Sequence, residues 1–184
     1  MTKYAALLRG IGPSNPNMHG AKLRTAFEKM GFKRVETVIA SGNVIFESAS
    51  KNERILESRI EKALPRLLGF KSPTIVRSQV ELEQIARKSP FGDMKADPRK
   101  YWIVTFLKHK PGKGHVFRDF ASSGAGFTIF PMHDRVIFCS IDVRNTKTPE
   151  VMRFLEKKFG KEMTTRTWKT VKKILKKMEG PQGR

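Results

Sequence analysis

Tyr4-Ala5-Ala6-Leu7-Leu8-Arg9-Gly10-Ile11-Gly12-Pro13-Ser14-Asn15-Pro16-Asn17 is the stretch on which the fold of this 184-residue sequence turns. The run of small and apolar residues from Tyr4 to Leu8 predicts a strand buried on both faces, onto which later strands add. Arg9 follows at once, and after it come two glycines, two prolines and two asparagines. A cation therefore stands where the strand leaves the core and the backbone turns irregular. Loops held by a buried strand are a common seat of function. The alternative is that Arg9 only ends the strand with a solvated charge.

Outward from this strand, Leu23, Ala26, Phe27 and Met30 recur at helical spacing and predict a helix from about Met18 to Met30, capped by Asn17 and ended by Gly31. Val35, Thr37 and Ile39 mark a second strand and Val44-Ile45-Phe46 a third, with Ala40-Ser41-Gly42-Asn43 as the hairpin turn. A second helix carries Leu56, Ile60, Ala63, Leu64 and Leu67, and Pro65 is expected to bend or shorten it. Thr74 to Arg77 reads as a fourth strand. Strand, helix, strand, strand, helix, strand is the split β-α-β order of ferredoxin-like folds. In that topology the first strand lies beside the third in an antiparallel sheet, Arg9 neighbours the Ser41-Gly42-Asn43 turn, and Arg77 lies at the opposite edge.

Ser78-Gln79-Val80-Glu81 has capping-box spacing and opens a further helix. Residues 92–100 are polar and turn-rich and read as a connector. Strands follow at Trp102–Leu107, Phe127–Phe130 and Val136–Ile141, with a short helix near Val116–Ala121 and a longer one from Thr148 to Gly160. The second half repeats most of the first, but Thr164 to Val171 and a last helix stand in place of a closing strand. The expected fold is α+β, with two ferredoxin-like (split β-α-β) halves, the second incomplete, and a C-terminal amphipathic helix. Its expected domains are 1–91, a connector over 92–100, and 101–184.

Lys and Arg number 37 against 17 Asp and Glu, a net charge of +20. The last 34 residues alone hold eleven Lys or Arg and three Asp or Glu. Such a surface attracts polyanions. On the last helix Trp168, Val171, Leu175 and Met178 share one face, while Lys169, Lys172, Lys173, Lys176 and Lys177 crowd the rest. An ordinary solvated face is the alternative, since lysines late in a helix also suit its dipole. Arg166 is expected in the first turn of that helix, where a cation opposes the dipole unless an anion holds it; Thr164 and Thr165 would complete an anion pocket. The alternative there is a pair between Arg166 and Glu162.

A single cysteine excludes an internal disulfide. No signal segment and no apolar run of about 20 residues is evident, so a cytoplasmic protein is expected. His19, His109, His115 and His133 have no metal-ligand spacing, and Cys139 sits in an apolar strand as a core filler. No nucleophile elbow, phosphate-binding loop or dinucleotide fingerprint is present. Neither a metal nor a cofactor is expected.

Leu7-Leu8-Arg9-Gly10-Ile11, Ala40-Ser41-Gly42-Asn43-Val44-Ile45-Phe46, Val76-Arg77, Ser89-Pro90-Phe91 and Thr164-Thr165-Arg166-Thr167-Trp168-Lys169-Thr170-Val171 occur in this order along nearly the whole chain. Together they resemble the motifs of the bacterial family catalogued as domain of unknown function 1697. The resemblance implies an α+β protein with duplicated ferredoxin-like halves and no established activity. The family pattern has asparagine after Arg-Gly-Ile and before the tryptophan, where this chain has Gly12 and Thr167.

Two functions follow as expectations. One is a basic cytoplasmic protein that binds nucleic acid or another polyanion on the lysine face of the last helix. The other is a small anionic-ligand-binding protein or enzyme built on Arg9, Ser41, Asn43 and Arg166. No base stands near Ser41 in sequence, which favours binding over catalysis.

Overall fold

The computed structural model describes residues 1–10, 15–39, 42–91, 97–112, 126–131 and 133–180. In the first half, β1 (Thr2–Leu8) leads through a 3₁₀ turn (Pro16–Met18) to α1 (Gly20–Lys29), β2 (Lys33–Thr37), β3 (Asn43–Ser48), α2 (Glu53–Leu68), β4 (Thr74–Ser78) and α3 (Gln79–Arg87). Its four strands form one antiparallel sheet in the order β2-β3-β1-β4. Tyr4, Ala6 and Leu8 point into a core with Phe27, Phe46, Leu56 and Ile60. Ala5 and Leu7, on the other face, are also fully buried, as a central strand without polar residues requires.

Helix α2 continues through Pro65 to Leu68, so the proline does not cut it short there. A proline deletes a single hydrogen bond, and the buried Leu64 and Leu68 on either side hold the turn in place. Asn52 accepts the backbone N–H of Arg54 and Ile55 to start the helix, and Gly69, at φ 75°, ends it.

The second half contains β5 (Lys100–Leu107), β6 (Phe127–Ile129), β7 (Val136–Asp142), α4 (Thr148–Phe159), β8 (Met163–Thr167) and α5 (Trp168–Glu179). Its sheet has the order β6-β7-β5-β8 and is antiparallel too. The second half is therefore complete in strands, which corrects the expected absence of its closing strand. Thr164 to Thr167 pair with Phe106 to Ile103, and the polar composition hid this because β8 is an edge strand. The short helix expected near Val116–Ala121 lies outside the described residues.

By contacts the chain divides into two compact units. One consists of Met1–Gln84 together with the segment from Lys172 onward, the other of Ile85–Val171. In the first unit Lys3 Nζ donates to Met178 O (2.8 Å), and Lys177 Nζ lies 3.1 Å from Glu36. In the second, Phe91 stacks on Trp102 and meets Phe130, Phe138 and Trp168 edge-on. Cys139 is buried there, and burial pushes its thiol up to about 12. It is expected to resist alkylation at pH 8 in the native protein and to react once the protein is unfolded, as a mass shift would record.

Strand β4 is an edge strand with its backbone N–H groups at 74, 76 and 78 turned away from β1. All three are accepted by carboxylates of α2: Thr74 N by Glu61 (2.8 Å), Val76 N by Glu57 (2.9 Å) and Ser78 N by Glu53 (3.2 Å). The spacing explains the match, because four helical residues rise about 6 Å and two strand residues about 6.8 Å. Arg77 crosses this row with its NH1 3.9 Å from Glu57 and 4.0 Å from Glu53, and donates to Val76 O (2.7 Å). Both Arg77 and Glu57 are 1% exposed. The edge is thereby closed to further strand pairing.

Candidate functional site

The end of β1 is held from both sides. Leu8 N donates to Gly42 O (2.8 Å), and Arg9 N is shared between Pro73 O (3.0 Å) and Ser72 Oγ (2.9 Å). The Ser72 hydroxyl in turn donates to Arg9 O (2.8 Å), so one buried side chain satisfies both backbone groups of Arg9. Sequence alone gave no signal for Ser72, because its role depends on β4 lying beside β1.

Asn43 pairs with Leu7 and is 1% exposed. Its amide donates to Val38 O (3.0 Å), while Val38 N donates to Asn43 O (2.9 Å), so the side chain closes the β2–β3 turn from inside. Gly42 occupies the left-handed region at φ 69°, and a Cβ there would stand 3.0 Å from both Leu8 Cβ and Met18 Cε. Gly42→Ala is expected to cost about 1–2 kcal/mol of stability, measurable by urea denaturation. Arg9, Gly42 and Asn43 thus do come together at one end of the sheet; Ser41 and residues 11–14 lie outside the described residues.

Arg77, the penultimate residue of β4, lies toward the opposite end of the sheet from Arg9, as expected, and its side chain is buried against α2. It pairs with Ala5, four residues from Arg9 along β1, or about 13 Å. The α2 carboxylates draw it inward.

Arg166 belongs to the second unit and lies in β8, opposite Val104, rather than in the first turn of α5. Its NH1 donates to Thr164 Oγ1 (2.8 Å) and to Thr165 O (2.8 Å). Desolvation pushes the guanidinium down to about 10. Glu162, its expected alternative partner, stands 3.3 Å from His109 instead. Arg166 and Arg77 hold matching places in the two sheets: each is the penultimate residue of the fourth strand and bonds the carbonyl before it. Aligning buried Leu56 and Ile60 of α2 with Val151 and Leu155 of α4 puts Met152 where the first half has Glu57.

Helix α5 is capped by Thr167, whose Oγ1 accepts Thr170 N (3.0 Å). Trp168, Val171, Ile174, Leu175 and Met178 are buried, and Lys169, Lys172, Lys173, Lys176 and Lys177 are exposed. Successive helical residues advance about 100°, so the five lysines fill a continuous arc of about 140°. Lys177 is engaged with Glu36 and, at 3.2 Å, with Thr37 O. The other four make no ion pair among the described residues.

Among the described residues, no three His, Cys, Asp or Glu side chains gather as a metal site would require, and no helix is long and apolar enough to cross a membrane. Residues 1–138 match a family model described as a protein of unknown function, DUF1697. The chain belongs to that family. Over its fold this DUF1697 protein is similar to the conserved bacterial protein SP0830 from Streptococcus pneumoniae, with a TM-score of 0.71 and 21% identity. The likeness covers 97% of this chain and 99% of the other. No curated protein matches this DUF1697 chain.

Proposed function

We propose that this protein binds nucleic acid through phosphate contacts made by α5. The observation that carries this is the segregation of the helix into a buried apolar face and an exposed arc of lysines. Surface lysines usually alternate with acids that neutralise them, but from Lys169 to Lys177 no acid intervenes. A net charge of +20 adds long-range attraction for a polyanion. The test compares the protein with a Lys169→Gln, Lys172→Gln, Lys173→Gln, Lys176→Gln variant for binding of labelled DNA and RNA duplexes by fluorescence anisotropy. Loss of binding in a variant with an unchanged circular dichroism spectrum supports the assignment, and undiminished binding refutes it.

The same reading extends to architecture. The matching strand orders, the helices α2 and α4 after the third strands, and the paired Arg77 and Arg166 support two ferredoxin-like copies that have diverged. Conversion of a buried glutamate position to Met152 would mark that divergence.

A further inference from the structure

A second basic surface lies within the first unit, between α1 and α2. Two hollows of about 430 and 520 Å³ run along the helix pair and share Lys29 and Leu67. One wall carries Lys22 and Lys29 of α1, the other Arg59, Lys62 and Arg66 of α2, and all five side chains are exposed. No acidic residue lines either hollow. The cause is on the opposite flank of α2, where Glu53, Glu57 and Glu61 are all spent on the N–H groups of β4. The cations of α2 are left facing α1 without their own helix's acids.

Two of the five are fixed in place. Arg59 lies over the Phe32 ring at 4.9 Å and donates to Met30 O. Lys22 donates to Asn17 Oδ1 (2.7 Å), and Asn17 Nδ2 donates to Leu68 O (2.9 Å), tying the start of α1 to the end of α2. Lys29, Lys62 and Arg66 make no ion pair among the described residues. Lys29 and Arg66 stand in last turns, where a cation suits the helix dipole, but Lys22 stands in a first turn, where it opposes it. An anion in the groove would remove that conflict.

We infer that the α1–α2 groove binds a linear chain of phosphates. Each wall spaces its outer cations seven residues apart, about 10.5 Å along the axis, which suits consecutive phosphates better than one. Packed helices lie about 8–10 Å apart, so the groove admits a single chain and a duplex would only touch its rim. Between the walls lie Ala26, Ala63 and Leu67, with no aromatic ring on which a base would stack. The groove therefore recognises phosphate charge and not bases, a chemistry shared by single-stranded nucleic acid and inorganic polyphosphate. It involves residues other than those of α5 and stands without the function proposed above.

The experiment titrates oligo(dT) and inorganic polyphosphate into the protein, into a Lys29→Gln, Lys62→Gln, Arg66→Gln variant and into the four-lysine α5 variant, at 50 and 200 mM salt. The groove variant is expected to bind both probes at least ten-fold more weakly at 50 mM. Its log–log salt slope for oligo(dT) should be smaller by about 2, at about 0.7 per lost phosphate contact. The α5 variant should keep binding polyphosphate. Binding of oligo(dT) alone assigns the groove to nucleic acid, and binding of polyphosphate alone assigns it to the inorganic polymer. Unchanged affinity in the groove variant overturns the proposal. So does a poly-glutamate peptide that binds as tightly as polyphosphate or, in the four-lysine α5 variant, a duplex that competes as well as a single strand.

Discussion

Glu57→Ala is expected to lower the stability of the protein by about 3 kcal/mol, the low end of the cost of breaking a buried ion pair, because Glu53 still faces Arg77. The substitution takes one of two neighbouring carboxylates from the Arg77 guanidinium, which is 1% exposed and keeps Glu53 at 4.0 Å, and removes the acceptor of Val76 N. Guanidinium denaturation read by circular dichroism checks it. Glu57→Gln keeps an oxygen for Val76 N but removes the charge, and its loss should fall between wild type and alanine. Arg77→Met should cost a similar amount, because it leaves Glu57 buried beside an apolar side chain. The double variant Glu57→Gln, Arg77→Met should recover part of the loss, since neither charge remains. Equal and additive losses in both single variants would show that the two residues act separately.

Nucleic-acid binding through α5 should be steeply salt-dependent. If Lys169, Lys172, Lys173 and Lys176 each neutralise one duplex phosphate, the log–log slope is about −0.9 per contact, or about −3.6 in all. Affinity then falls by about two orders of magnitude between 50 and 200 mM salt, as anisotropy titrations would show. The four-lysine variant should lose this part of the slope and keep the rest. Since phosphate contacts do not distinguish bases, sequence-scrambled duplexes should bind alike. A slope that stays the same in the variant would place the contacts elsewhere on the protein.

Much of the architecture was readable from local pattern. Tyr4 to Leu8 gave the central strand because a strand with two buried faces has no polar position to spare. Ser78 and Glu81 gave the start of α3, and the two do exchange bonds: Ser78 N donates to Glu81 Oε2 (3.0 Å) and Glu81 N to Ser78 Oγ (3.3 Å). The failures have a common source in edge strands. Met163 to Thr167 carries two threonines and an arginine before its last threonine, and propensity cannot tell such a segment from a polar helix start until β5 is there to pair with it. The glutamates of α2 repeat every four residues, which marks a helix face, but only β4 beside that face reveals their use. Likewise Lys22, Lys29, Arg59, Lys62 and Arg66 show helical spacing within each helix, whereas the groove requires the two helices to be neighbours. Asn43 reads as a ligand-binding residue from its place in a turn, whereas its side-chain amide is turned inward to Val38.

The division of the chain has a consequence for how the molecule is made. The first unit includes residues from Lys172 onward, and Lys3 bonds to Met178 across 175 positions of sequence. A ribosome that has finished Gln84 must still deliver the 87 residues from Ile85 to Val171 before the missing piece emerges. At ordinary elongation rates that interval is roughly 4–17 s. During it the sheet of the first unit waits without the last turns of α5, so completion of that unit is timed by residues made only after the whole of the other.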